Sequence, residues 1–291
     1  MRYLITGGGG QLASDLGDLL GDAAEVRSRA ELDITDTPGL EHALQESAPD
    51  VVINCAAYHN LDECEAHAER AFAVNVAAVA ELARRAPRLV HVSTNYVFDG
   101  EREAPYAEDD LPAPRSIYAL TKLAGEHAAL AYGSAALVVR TGGLYGLEGS
   151  ASKGGNFVQR MLRRAASGEP VRMVADQRLQ PTFTADLAAG ILAAVDGGVD
   201  GVLHLTASGA CSWYEFTRTI MANAGIDIEI EPVTTTRQAG AVHRPLNGVL
   251  ARPAADAAGL APLRPWAEAL DDYMGRASLK APTVLATEGD R

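Results

Sequence analysis

Two residues of this 291-residue chain are best placed to do chemistry, Tyr118 and Lys122 of Tyr-Ala-Leu-Thr-Lys. On a helix, residues four apart share one face and lie a turn from each other. An ammonium that close favours the phenolate, so the spacing predicts a tyrosine tuned towards neutrality that can give or take a proton. The alternative is an amphipathic helix edge with a solvated ammonium. Upstream, Ser93-Thr94 ends an apolar run and adds a hydroxyl that could serve the same site.

A second constellation lies at the start of the chain. The apolar strand Arg2-Tyr3-Leu4-Ile5-Thr6 runs into Gly7-Gly8-Gly9-Gly10-Gln11-Leu12-Ala13 and then an amphipathic helix ending near Leu20. Gly7, Gly10 and Ala13 fit the spacing by which a backbone approaches a pyrophosphate at a helix N-terminus. The alternative is a flexible glycine turn, but the position between a first strand and a first helix favours a dinucleotide. After the second extended piece, near Val26, Arg27-Ser28-Arg29 stands where an NAD enzyme usually has an acid. Cations there suit a 2′-phosphate and favour NADPH over NADH, unless both arginines are simply solvated. Asp33-Ile34 could border the adenine, or Asp33 could be a cap. Asn54-Cys55-Ala56-Ala57 ends a strand with small side chains over which a ribose could pass, although Cys55 is also a simple core residue.

The elements that must position these groups alternate along the chain. A helix is expected from Pro38 to about Ser47, capped by Asp36 or Thr37, then the strand Val51 to Asn54 and an Ala-rich helix from about Glu69 to Arg85. There follow the strand Leu89 to Ser93, a Pro- and acid-rich loop from Asp99 to Arg115, the helix of Tyr118 and Lys122, and the strand Leu137 to Arg140. Strands alternating with helices imply an α/β, doubly wound parallel sheet with its ligand at the carboxyl ends of the strands. Beyond Tyr145 the spacing predicts helices at Asn156 to Ala166, Ala185 to Val195 and Trp213 to Ala224, with strands at Val171 to Val174 and Val202 to Leu205. The organisation expected is a nucleotide-binding core over 1–145, with 182–205 completing the sheet, a smaller lobe from 146–181 and 206–276, and a mobile tail over 277–291.

Composition narrows the class. The formal net charge of -13 argues against a general nucleic-acid surface. No apolar run is long enough to span a bilayer and the N-terminus reads as a strand, so a cytosolic protein is expected. Three cysteines, Cys55, Cys64 and Cys211, are too scattered for a disulfide framework, and no spacing resembles a metal site.

The glycine turn, Asn54-Cys55-Ala56-Ala57, Ser93-Thr94 and Tyr118-x-x-x-Lys122, in that order, resemble the extended short-chain dehydrogenase/reductase family. Ser93 to Gly100, Tyr118 to Glu126, Arg140-Thr141, Gly155-Asn156-Phe157, Asp176-Gln177, Gln180-Pro181-Thr182 and Arg244-Pro245-x-Asn247 look like its dTDP-4-dehydrorhamnose reductase branch, up to about Tyr273. The resemblance implies a Rossmann core with a C-terminal substrate lobe, and NADPH-dependent reduction of the 4-keto group of a nucleotide-linked 6-deoxyhexose. It implies Tyr118 as proton donor, Lys122 on the nicotinamide ribose and Thr94 on the carbonyl or the phenol. Gly10-Gln11-Leu12, Asp33-Ile34 and Ala57-Tyr58-His59 are then expected at the cofactor. Asn95, Tyr96, Asn156 and Arg244 are expected around the sugar and its diphosphate, although Arg244 could instead make a surface ion pair. A homodimer is expected at the level of the family.

Two positions depart from the branch. Asn95 stands where an aspartate is usual, and Gly142-Gly143 stand where Ser-Trp is usual. The absent tryptophan predicts a roomier floor at Gly143 and a related keto sugar in place of dTDP-4-dehydrorhamnose. A 4,6-dehydratase would need an acid pair after the threonine, where this chain has Asn95-Tyr96. An epimerase that keeps its cofactor bound remains open, as does a non-catalytic subunit resembling the methionine adenosyltransferase β subunit.

Overall fold

The computed structural model describes residues 1–148, 154–236 and 241–280. Strand β1 (Tyr3–Gly8) leads through the glycine turn into helix α1 (Gln11–Leu20), and β2 (Ala24–Ser28) into α2 (Thr37–Ser47), which carries Pro38 in its first turn. β3 (Val51–Asn54) is followed by α3 (Leu61–Ala66), a short helix that hydrophobic spacing did not announce; Asn60 caps it by accepting the Glu63 N–H. The helix expected from Glu69 to Arg85 is interrupted: α4 (Ala68–Phe72) passes through one π-helical turn, Ala73–Ala77, into α5 (Ala78–Arg85). β4 (Leu89–Thr94) ends in a 3-10 turn over Asn95–Val97. It is followed by α6 (Ile117–Tyr132), capped by Ser116, and β5 (Ala136–Thr141).

The rest of the chain is built from shorter pieces. They are β6 (Leu144–Tyr145), α7 (Phe157–Ala166), β7 (Val171–Val174), β8 (Arg178–Leu179), β9 (Thr182–Phe183), α8 (Thr184–Asp196) and β10 (Gly201–His204). After them come β11 (Ala207–Ser208), β12 (Cys211–Ser212), α9 (Trp213–Asn223), β13 (Ile230–Val233), α10 (Pro253–Ala257), β14 (Leu263–Pro265) and α11 (Trp266–Lys280). Residues 277–280, expected in an aperiodic tail, therefore belong to α11, and 281–291 lie outside the described residues.

Six strands form one parallel sheet in the order β10-β5-β4-β3-β1-β2. The order reverses between β1 and β3, and the crevice above that switch point is where such a sheet binds its ligand. Register aligns the functional strand ends: Thr6 lies opposite Asn54, Asn54 opposite His91, and Thr94 opposite Thr141. Both sheet faces are covered. Ile5, Ile53, Val90, Leu137 and Val139 pack with α1 and α8, while Leu4, Val52, Leu89 and Val138 pack with α2, α5 and α6. A third core, around Tyr145, Phe183, Phe216 and Tyr273, holds the C-terminal pieces together and docks them beside the sheet.

Candidate active site

At the switch point the glycine turn has the shape a phosphate needs. A side chain on Gly7 would meet the Ala56 backbone nitrogen at 2.7 Å, and one on Gly8 would meet the Ser28 nitrogen at 2.7 Å, so both glycines let the turn lie flat against its neighbours. Gly9, at φ +80°, faces open space. No side chain caps the first turn of α1, which leaves its N–H groups directed at that space. A dinucleotide pyrophosphate fits this cradle. Gln11 is partly committed, because its Oε1 accepts the Gly146 N–H at 2.7 Å and ties α1 to the end of β6. Leu12 and Ile34 turn into the two sheet cores, so neither offers more than its backbone to a ligand.

The adenosine end differs from expectation in one residue. Arg27 lies within β2, not after it, and its guanidinium is taken by Glu25 on the same strand face and by Glu46 of α2. That ion pair removes it from the set of free cations for a 2′-phosphate. Arg29 is exposed and pairs at 3.3 Å with Asp33, whose carboxyl is held below its usual range chiefly by the Thr35 hydroxyl and N–H. The loop after β3 is fixed by Asn75, which the π-helical turn points inward. Its Oδ1 accepts the Tyr58 N–H at 2.8 Å, while its Nδ2 donates to Tyr58 O at 2.9 Å and Thr121 Oγ1 at 3.0 Å. Cys55, Ala56, Ala57, Tyr58 and His59 are thereby held half-buried beside the glycine turn. Burial pushes the Cys55 thiol up to about 12, so it is a packing residue, not a nucleophile.

The second half of the site lies at the end of β4. Thr94 Oγ1 accepts the Tyr96 N–H at 3.3 Å, which closes the 3-10 turn, and its hydroxyl is near enough to the Tyr118 phenol to pull the phenol's pKa down against burial. The Tyr96 and Tyr118 rings meet edge to face at 6.0 Å, and the Arg244 guanidinium is near enough to the Tyr96 hydroxyl to oppose the rise that burial gives its pKa. Arg244 is exposed, and among the described residues it makes no ion pair. Its loop is anchored by Asn95 Nδ2, which donates to Gly248 O at 2.9 Å, and by Asn247, whose amide donates to the carbonyls of Arg102, Glu103 and Ala104. Thr94, Asn95, Tyr96, Tyr118 and Arg244, up to 150 residues apart in sequence, thus converge.

Lys122 is only 2% exposed, and its Nζ donates to Val92 O at 2.7 Å and lies 3.1 Å from His91 Nε2. The expected acidification of Tyr118 by Lys122 does not occur in this arrangement. Desolvation raises the phenol above its ordinary value and outweighs the lowering by Thr94, while Lys122 is turned to the backbone and His91. Burial brings Lys122 itself down to about 8, against the opposing pull of Glu126. Glu126 is one turn further along α6, so Tyr118, Lys122 and Glu126 form a stripe at four-residue spacing. Glu126 is held by three bonds from Arg140 on β5 and one from Ser93, all buried. Ser93 therefore supports the strand and does not reach the site.

Two positions expected at the sugar are used otherwise. Asn156 donates both amide protons, to Gly146 O at 2.7 Å and Tyr273 Oη at 2.8 Å, and accepts the Gln159 N–H in a capping box on α7. It organises the lobe and has no donor left for a hydroxyl. Gly143 is not a roomy floor. Its φ is +63°, and a Cβ there would lie 3.1 Å from Pro181 Cα and 3.3 Å from Leu179 Cδ1, so the neighbouring loop packs directly against the glycine. Asn75, His91 and Glu126 were missed in sequence; only Glu126 carried a signal, its spacing from Lys122.

The family model described as RmlD substrate binding domain matches residues 1–279. The chain belongs to that family. Similar relatives include a dTDP-4-keto-6-deoxy-D-glucose reductase from Streptomyces niveus, 40% identical over 278 residues and covering 92% of this chain and 95% of the relative. A dTDP-4-dehydrorhamnose reductase from Mycolicibacterium smegmatis is 39% identical over 281 residues, covering 93% of this chain and 84% of the relative. Among solved structures, a dTDP-4-dehydrorhamnose reductase from Bacillus anthracis in complex with NADP superposes with a TM-score of 0.88 at 32% identity, covering 94% of this chain and 98% of that one. The doubly wound fold expected from the alternating elements is the fold of these family members. Among the described residues, no three His, Cys, Asp or Glu side chains are grouped to hold a metal ion, and no helix is long and apolar enough to cross a membrane.

Proposed function

We propose that this chain is a cytosolic reductase that uses NADPH to reduce the 4-keto group of a dTDP-linked 4-keto-6-deoxyhexose. The observation that carries this reading is the convergence of Tyr118, Thr94, Tyr96 and Arg244 at the strand end, with Lys122 buried one turn along the same helix. Bound NADPH would supply the hydride to the carbonyl carbon. Tyr118 supplies the proton to the oxygen, and its raised pKa keeps that proton in place over the whole working pH range. Thr94 fixes the distance between phenol and carbonyl, and Lys122, held beneath the site with its Nζ on Val92 O and His91, is the cation this reading assigns to the nicotinamide ribose. The exposed guanidinium of Arg244 suits the sugar diphosphate as a two-pronged donor. Asn95, with Oδ1 turned to Thr94 and one amide proton unspent, meets a sugar hydroxyl. On this reading Gly7, Gly10, Gln11, Leu12, Arg29, Asp33, Ile34 and the loop Cys55 to His59 hold the dinucleotide. The described residues within 146–181 and 206–276 form the lobe that covers the sugar.

The test is NADPH oxidation by the purified chain against a panel of dTDP-linked 4-keto-6-deoxyhexoses, dTDP-4-dehydrorhamnose and dTDP-4-keto-6-deoxyglucose included. Oxidation with at least one is expected. Silence with all of them would remove the proposal, and copurification of tightly held NAD would point to an epimerase.

A further inference from the structure

We propose that His91 is a positioning residue whose choice of ring tautomer couples the charge of Lys122 to the nucleotide turn through Asn54. The ring is fully buried on β4 between two partners: Asn54 Nδ2 at 3.2 Å from its Nδ1, and Lys122 Nζ at 3.1 Å from its Nε2. Which proton sits where is fixed from the far end. Asn54 Oδ1 accepts the Thr6 hydroxyl at 2.6 Å and the Ala56 N–H at 3.2 Å, so the amide must present its NH2 group to His91. Nδ1 then accepts, a neutral ring carries its proton on Nε2, and that proton points at Lys122 Nζ. Only a free amine can accept it, and such an amine still donates to Val92 O.

An ammonium at Lys122 requires the opposite order. Nε2 must offer its lone pair, the ring proton must move to Nδ1, and the Asn54 amide must turn its oxygen to meet that proton. Turning it takes the acceptor away from the Ala56 N–H, and Ala56 is the backbone against which Gly7 packs. Protonation of Lys122 is thereby felt at the glycine turn, through Asn54 and Thr6, three strands of the sheet away from α6. The ring stays singly protonated throughout, because burial and Lys122 both hold its pKa well below the ordinary histidine value. Besides His91, the titratable groups that act on Lys122 are Glu126 on its own helix and Cys55 beyond β3. The ring can approach α6 this closely because Gly125 carries no Cβ, which would lie 3.3 Å from Nε2.

The inference rests on Lys122 facing the cofactor only for its consequence, not for its test. In the cofactor-free protein, the 15N resonances of His91 report which ring nitrogen bears the proton. As pH rises from 6.5 to 9.5, the proton should move from Nδ1 to Nε2 with a midpoint at the Lys122 pKa, about 8. In Lys122→Met the ring should stay Nε2-protonated at every pH. A wild-type ring that keeps one tautomer across the range, or a tautomer change that survives in Lys122→Met, overturns the coupling while leaving the reductase assay untouched.

Discussion

Tyr118 carries a proton that burial makes hard to lose, and the group that titrates near neutrality is Lys122. Its folded-state pKa of about 8 lies below the ordinary lysine value, so between those two pH values the unfolded chain binds more protons. Stability from this group is complete above the unfolded value and is lost as pH falls towards 8. The contribution is on the order of 3 kcal/mol, and the rise in unfolding free energy between pH 8 and 10 should be absent in Lys122→Met, measured by urea titration. The two arginines at the adenosine end separate in the same way, by their partners. Arg29→Ala should weaken NADPH binding roughly tenfold, ~1.4 kcal/mol, with little change for NADH. Arg27→Ala should change neither by more than about twofold, because Arg27 already serves Glu25 and Glu46. Equal effects of the two substitutions on NADPH, in a fluorescence titration, would contradict this assignment.

Helix α6 displays Tyr118 and Lys122 at a spacing of four, and that pair was legible in the sequence because a helix converts spacing directly into a shared face, whereas Glu126, one turn further along, went unread. The glycine turn was legible for a similar reason, since strand, glycines and helix are contiguous in the chain. What was not legible is lateral. His91 gains its role from Asn54 on the neighbouring strand and from Lys122 on the helix above, contacts that parallel pairing creates between segments tens of residues apart. Asn75 points to the Tyr58 loop because the helix adds a π-helical turn there, which no periodicity announces. Gly143 misled because its left-handed φ belongs to a turn whose space Pro181 and Leu179 fill. Gly125 shows what this packing demands of one position: a Cβ would meet Asn75 O, so Gly125→Ala, which normally strengthens a helix by about 1 kcal/mol, should instead lower stability by about 1–3 kcal/mol. A thermal melt that rises for this variant would show that α6 and the π-helical turn do not press together as described.

Across the whole molecule, buried polar links bind the sheet to the pieces around it. Arg140 reaches from β5 to Glu126 on α6 and to the Glu108 carbonyl in the long loop, while Asn156 joins α7, Gly146 and α11. Glu126→Gln leaves the Arg140 charge uncompensated and should cost about 3–5 kcal/mol in a denaturant melt. These links hold the site in place, and the proposed chemistry rests on the Tyr118 proton. Single-turnover oxidation of NADPH by Tyr118→Phe, with a dTDP-linked 4-keto-6-deoxyhexose that the unaltered chain reduces, tests that most directly. The rate should fall by roughly 10²- to 10⁴-fold with NADPH affinity unchanged within a few-fold. A variant that turns over at the original rate would contradict the assignment of Tyr118 as the proton donor.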